Sequence, residues 1–384
     1  MRNITNELLK QPSLSFFDKR RGTVIPDICD EIRNGLWRDY NVDVALANEK
    51  IDATRVLDMS SEFADYIPLK DGVVWNSEIN CFEEQKYVPH IVEGMNYDKF
   101  LALCDEYFAP YKDKKIAVHL SGGLDSSIII CILKELNIPF SLFGLVTDRF
   151  EFRTERRIQN ILAEYGVETV FVNLEEYPHY GDLDGFPALQ MPNDFIKCIA
   201  PSRKMVSEMK QCGVDVVFGG QGGDSLFVDS IPLGLDGVSF NIPNEFDVNV
   251  ENEMHYVPNG MELKSFYADK RIIDAICTLR QGQRIDSPKW WARKFFKGIL
   301  PRELSDYCYT ADFFGLSMSG LEAAKPTIKT LFEEAHDLLE HPAFSPKATK
   351  EMLETDVFSF DYHSYCDFCC RISIAAWVTA LFRK

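Results

Sequence analysis

The chain has 384 residues and a formal net charge of −18 at pH 7, enough length for two domains with a full core. The acidic balance argues against a nucleic-acid partner, whose phosphates need clustered Lys and Arg; only short runs such as Lys19-Arg20-Arg21, Lys114-Lys115 and Arg156-Arg157 occur. No apolar run approaches the ~20 residues that span a bilayer and no signal segment is visible. The 11 cysteines, scattered and odd in number, suit reduced thiols, so the expectation is a cytoplasmic chain without membrane insertion.

Residues 1–105 alternate short apolar runs (Val24-Ile25-Pro26, Val42-Asp43-Val44-Ala45-Leu46, Val73-Val74-Trp75) with turns. They are expected to form a small mixed α/β domain or a degenerate, trimmed remnant of one. Tyr97 to Ala109 reads as a helix leading into a second domain over 106–384. There Ile116-Ala117-Val118-His119-Leu120 reads as a buried strand and Ile128 to Leu136 as a helix. Between them lies Ser121-Gly122-Gly123-Leu124-Asp125-Ser126-Ser127. A strand, a Gly-rich turn and a helix N-terminus make an anion site, because first-turn N–H groups lack partners and the helix dipole favours negative charge. The serines add hydroxyl donors. A Walker-type loop would end in Lys followed by Ser or Thr. This one holds the carboxylate of Asp125, which repels polyphosphate unless a cation lies between them, so Asp125 implies Mg²⁺.

This seven-residue stretch resembles the pyrophosphate loop of the ATP-pyrophosphatase superfamily, whose members split ATP into AMP and pyrophosphate. Further on, Ser141 to Val146 reads as a strand, and Thr154-Glu155 opens an amphipathic helix through Ile158, Ile161, Leu162 and Tyr165. Val214 to Phe227 forms a second strand and Gly-rich turn, Gly219-Gly220-Gln221-Gly222-Gly223-Asp224. That block is similar to the second signature of asparagine synthetase-type synthetase domains. The stretch from Met261 to Arg271 and the Leu300-Pro301-Arg302-Glu303-Leu304 turn resemble later blocks of the same family, so the resemblance covers about residues 110–384. It implies an α/β fold with a parallel sheet, helices on both faces, and an adenine nucleotide α-hydrolase-like arrangement. It also implies ATP and Mg²⁺. Leu120, Ser121, Gly122, Gly123, Asp125, Ser126 and Ser127 would hold the nucleotide, with Gly220 against the adenine. Asp125 and Asp224 would bind the metal, and Glu262 would be the base that takes a proton from the amine. Glu262 has a second reading, a salt bridge to Lys264 or Arg271.

The sequence departs from the family in several places. The middle of the Gly-x-Gly turn, usually Glu or Tyr, is Gln221, which cannot act as a base. Ser225 replaces a further Glu. The Lys that the family places beyond its Leu-Pro falls near Tyr309, leaving Lys294 or Lys297 as substitutes. Phe227 to Glu262 reads as loops and short strands where the family has helices, so aspartate is not the expected substrate. Glutamine-dependent members carry Cys directly after the initiator Met; here Arg2 stands there and the first cysteine is Cys29. Glutamine hydrolysis is therefore not expected, and the nitrogen comes from free ammonia or a substrate amine. Cys366-Asp367-Phe368-Cys369-Cys370 lacks the paired spacing of a zinc motif and reads as part of a buried helix.

The expected activity is AMP-forming amide-bond synthesis on a peptide or small-molecule carboxylic acid, with other proteins of a biosynthetic pathway as partners. Ring closure by an amine on the same molecule fits, since β-lactam synthetases and lasso-peptide cyclases resemble asparagine synthetase in this way. Amidation of a small metabolite with ammonia, and nucleotide binding without catalysis, are the alternatives.

Overall fold

The computed structural model describes residues 16–18, 23–25, 66–68, 73–76, 81–84, 86–187, 194–228, 240–241, 248, 250–282, 289–306, 313–335 and 346–382. The chain divides into two compact units. One comprises Met1–Gln85, Pro178–Ala200 and Phe313–Lys384; the other comprises Lys86–Tyr177 and Pro201–Asp312. The division expected near residue 105 is corrected by this. Phe100, Cys104 and Phe108, on the helix Tyr97–Phe108, join the core beneath the parallel sheet, so that helix belongs with the sheet.

The second unit is built on five parallel strands: β1 (Ile116–His119), β2 (Ser141–Val146), β3 (Glu168–Asn173), β4 (Val216–Gly219) and β5 (Glu262–Ser265). Their order is β5-β4-β1-β2-β3. Ile116 and Val118 of β1 and Val216 and Phe218 of β4 enter one core, whereas Ala117 and Val217 enter another. Alternation places successive side chains on opposite faces. Both faces are thus covered, which is why these strands read as unbroken apolar runs.

The helices of this unit are α1 (Tyr97–Phe108), α2 (Leu124–Glu135), α3 (Arg153–Ala163), α4 (Ile199–Gln211), α5 (Gly223–Val228), α6 (Lys270–Arg280), α7 (Trp290–Phe295) and α8 (Arg302–Ser305). α2 is buried continuously from Leu124 through Leu133 apart from Asp125, and each of its large aliphatic side chains contributes roughly 1.5–3 kcal/mol of burial. α1, α2, α6 and α7 supply one face of the sheet. Met205, Val206 and Met209 of α4 supply the other. The stretch from Phe227 to Glu262, expected to be loops and short strands, contains a two-residue strand at Phe240–Asn241 and also a π-helical turn at Asn252–Tyr256.

The first unit has a three-stranded antiparallel sheet, with Phe16–Asp18 between Thr23–Ile25 and Tyr66–Pro68, and a hairpin of Val73–Asn76 with Cys81–Glu84. Its helices are α9 (Phe314–Glu334), α10 (Pro346–Glu354) and α11 (Tyr362–Phe382). A buried polar network ties them to residues 178–200: His179 Nδ1 lies 2.9 Å from Ser317 Oγ, and Tyr180 Oη lies 3.0 Å from Tyr365 Oη. Cys369 Sγ is 2.7 Å from Tyr180 Oη, which accounts for that thiol as a core group. Arg2, Cys29 and Tyr309, and the side chains of Cys366 and Cys370, lie outside the described residues. Among the described residues no cluster of three or more metal-ligating side chains occurs, and no helix is long and apolar enough to cross a membrane.

Candidate active site

In the order β5-β4-β1-β2-β3, the chain first builds outward from β1 to β3 and then crosses to the other side of β1 to lay down β4. The strand order therefore reverses between β1 and β4. The crevice outside the strand C-termini at such a point is where open α/β sheets bind ligands. The two Gly-rich turns of the sequence are the loops leaving these two strands.

The first turn is held open by its own hydrogen bonds. Leu120 is buried, donates its N–H to the Phe143 carbonyl at 2.8 Å, and accepts at its own carbonyl from Gln159 Nε2 at 2.9 Å. The same Gln159 amide donates to the Leu145 carbonyl, so one buried side chain from α3 clamps the ends of β1 and β2. Gly122 has φ +80°, and a Cβ there would lie 2.6 Å from the Glu155 carbonyl; only glycine meets both conditions. Gly123 is the N-cap of α2 and supplies no side-chain cap, leaving the first-turn donors to solvent or ligand. Ser121 Oγ accepts from Gly123 N at 3.1 Å and shares a 2.7 Å bond with Ser126 Oγ. Ser127 differs from expectation. It is fully buried and its hydroxyl donates to the Gly123 carbonyl at 2.5 Å, so it closes the turn and does not face a ligand.

The second turn packs directly on the first. A Cβ at Gly223 would meet Asp125 Cγ at 2.4 Å, and one at Gly220 would meet Ser126 N at 2.8 Å. The glycine at 220 is thus demanded by the neighbouring turn, where no side chain would fit. The close approach brings Asp125 and Asp224 to one cation. Lys289 Nζ lies 2.5 Å from Asp125 Oδ2 and 2.7 Å from Asp224 Oδ1. Asp125 is held further by Tyr267, whose hydroxyl donates to the Asp125 carbonyl at 2.8 Å, while Asp125 Oδ1 is buried without a hydrogen-bond partner. Burial raises the Asp125 pKa above the usual carboxylate value, and Lys289 opposes the rise in part. Burial pulls the Lys289 ammonium down, but the two carboxylates outweigh it and keep it charged. No motif in the sequence points to Lys289; the substitutes it offers, Lys294 and Lys297, lie over the Trp290 ring and beside Asp306.

Glu262 is not in this crevice. It opens β5 in register with Val216, at the N-terminal edge of the sheet, and its carboxylate pairs with Lys264. Three residues of strand, roughly 10 Å, separate it from the level of the turns. The salt-bridge reading holds and its expected role as base is corrected. The carboxylate bonded to the second turn is Glu251, whose Oε1 accepts from Gln221 Nε2 at 3.1 Å. Gln221 Oε1 is buried without a donor. Tyr256, on the adjoining π-helical turn, lies 2.8 Å from His119 Nε2, and burial lowers the His119 pKa to about 4, leaving the ring neutral.

Two carboxylate oxygens converging on one cation, one of them with a second oxygen still unpaired, suit Mg²⁺, which takes one or two carboxylates and completes its shell from substrate phosphates.

The asparagine synthase family model matches residues 111–232. Both turns lie within the segment that is similar to that family. Among solved structures the chain is similar to NMN synthetase from Francisella tularensis, at 14% identity and a TM-score of 0.25 over 59% of this chain and 92% of that one. It is also similar to NAD+ synthetase from Burkholderia pseudomallei, at 17% identity and a TM-score of 0.24 over 50% and 84%. No curated protein matches the chain significantly.

Proposed function

We propose that the chain is an ATP-dependent ligase that forms amide bonds by activating a carboxylate, with release of AMP and pyrophosphate. The observation that carries this reading is the convergence of Asp125 and Asp224, from two Gly-rich turns at the topological switch point, on the single cation Lys289. The asparagine synthase match over both turns supports it.

In this reading the open N-terminus of α2 and the Ser121–Ser126 hydroxyl pair hold the pyrophosphate portion of ATP. Asp125 and Asp224 hold Mg²⁺, which supplies charge neutralisation at phosphate oxygens when bound. Lys289 then turns from the carboxylates to the phosphates, providing the positive charge sought in Lys294 or Lys297. The substrate carboxylate attacks the α-phosphorus and pyrophosphate leaves. An amine next attacks the acyl carbon, the amide C–N bond forms, and AMP leaves. The amine proton goes to Glu251, and Gln221 Oε1 accepts a second N–H and orients the nitrogen. The substrate is a peptide or biosynthetic intermediate whose own amine closes a lactam or macrolactam; amidation with ammonia is the second reading. Gln221 in place of a usual Glu or Tyr favours a further one, nucleotide binding without turnover.

Calorimetry with ATP and Mg²⁺ tests the first step. Mg·ATP is expected to bind, and Asp125→Ala is expected to weaken it at least tenfold, the scale of losing about 1.4 kcal/mol. Unchanged affinity in Asp125→Ala rejects the site. With a cognate acid and amine, chromatography should resolve AMP; ADP as product rejects the mechanism, and no turnover favours the binding-only reading.

A further inference from the structure

We propose that the cleft at the C-terminal end of β2 is a second anion subsite. It would hold a carboxylate or phosphate group carried by the molecule whose reacting carboxylate is activated at the neighbouring turns, and in that respect it rests on the function proposed above. The cleft encloses about 400 Å³ and is lined by Arg149, Arg153, Arg156 and Arg157, with Asp148 as its one acidic residue. In a chain with a net charge of −18, four guanidinium groups around one cleft are a local inversion of sign.

The placement of these arginines has an energetic cost that an anion would offset. Arg153, Arg156 and Arg157 lie on one face of α3, spaced i, i+3 and i+4, within its first two turns. Cations at a helix N-terminus oppose the macrodipole, whereas an anion there is favoured. The protein itself neutralises only part of the charge. Arg157 Nη2 pairs with Glu303 at 2.9 Å, and Arg149 Nη1 lies 3.7 Å from Glu151. Among the described residues Arg153 and Arg156 have no carboxylate partner. Arg153 lies over the Phe150 ring, 3.9 Å from its centroid, and donates to the Phe150 carbonyl at 3.2 Å. Arg156 lies over the Phe171 ring at 4.3 Å, and its Nη1 is buried with no acceptor. A buried unpaired guanidinium N–H is costly, and an oxyanion entering the cleft would satisfy it by a charge-assisted bond. Phe150, 74% exposed, leaves an apolar rim for the rest of the ligand.

The cleft belongs to the same edge of the sheet as the first Gly-rich turn. Thr147 follows the last residue of β2, and the main chain of Glu155, between Arg153 and Arg156, backs Gly122. A substrate with its reacting carboxylate at the turn could therefore place a second anionic group here.

The test uses the full chain with two probes, tricarballylate and inorganic phosphate, followed by ligand-observed NMR with and without saturating Mg·ATP. At least one probe is expected to bind, to persist with ATP present, and to weaken about fivefold or more in both Arg153→Gln and Arg156→Gln. Binding of tricarballylate alone assigns a carboxylate group, and binding of phosphate alone a phosphoryl group; either supports the subsite. Arg153 is exposed, with its hydrogen bond and ring contact both made to Phe150, so that variant should keep the wild-type circular dichroism and the test does not depend on Arg156. Binding of neither probe, binding unchanged in both variants, or displacement by ATP overturns the proposal. Should the chain fail to bind ATP, the ATP-free arm still reads the cleft, so the two proposals fail separately.

Discussion

Removing the Lys289 charge should expose how strongly the two turns depend on it. In Lys289→Met the aliphatic stem remains and the ammonium is lost. The Asp125 leg is largely shielded, with side-chain exposures of 18% for Lys289 and 14% for Asp125; breaking a pair at such a site costs about 3–5 kcal/mol when burial is complete. The Asp224 leg ends on a carboxylate 81% exposed and is worth about 0–1 kcal/mol. Allowing for the remaining solvent, the expected loss is about 2–4 kcal/mol, a fall in Tm on the order of 10 °C for a unit of this size. Thermal unfolding in EDTA measures it. The double-mutant cycle with Asp125→Asn isolates the pair, because the amide removes the charge that Lys289 compensates, and the coupling should be about 2 kcal/mol. The deficit of Lys289→Met should shrink as pH falls, since burial already raises the Asp125 pKa and protonation removes the unpaired charge. Added Mg²⁺ should restore more stability to the variant than to wild type, because binding only to the folded state stabilises it. A coupling below about 0.5 kcal/mol, with no selective rescue by Mg²⁺, would refute the view that these carboxylates form a shared cation site.

Much of the fold was legible because its signals are local. The run Ile116 to Leu120 has no polar side chain except His119, as a strand covered on both faces requires. The glycines of Ser121–Ser127 and Gly219–Asp224 mark turns whose geometry few other residues permit. The unit boundary was not legible. Tyr97–Phe108 reads as a helix on any periodicity, but whether its apolar face packs forward onto the sheet or backward depends on partners such as Phe295 and Phe296, about 200 residues away in sequence.

The site divides in the same way. Asp125 and Asp224, which meet at Lys289, stand out in the sequence because each sits inside a motif. Lys289 does not, because it stands 164 residues from Asp125 and nothing near it in sequence records the contact; its φ of +58° is a backbone feature that Lys rarely adopts. Gln159 reads as one polar residue of an amphipathic helix, yet it is buried and clamps two strand ends. Its position, one after the buried Ile158, was the available signal. Glu262 failed for the opposite reason. Its place in a similar block of sequence says nothing of strand register, and one end of a short strand is far from the other on the scale of a proton transfer.

Two further outcomes are expected. Burial lowers the pKa of His119, His179 and His255 from 6.5 to about 4, so each ring is neutral in the folded chain and protonated first in the unfolded one. Their contribution is complete above pH 6.5 and is lost as pH falls towards 4, by at most about 3 kcal/mol each. Ring resonances that titrate near 6.5 in the native protein would contradict that burial. The last prediction separates Glu251 from Glu262. Amine attack needs a proton acceptor within about 3 Å or one water of the nitrogen. Glu251 is bonded to the turn that flanks the crevice, whereas Glu262 is paired with Lys264 at the other edge of the sheet. With a cognate acid and amine, Glu251→Gln should slow amide formation roughly 10²-fold or more and leave ATP–pyrophosphate exchange intact, because exchange requires adenylation alone. Glu262→Gln should alter neither beyond the small effect of losing an exposed ion pair. Equal loss of exchange and amide formation in Glu251→Gln would make that residue a support of the second turn, and loss of amide formation alone in Glu262→Gln would return the base to the strand position from which the register removes it.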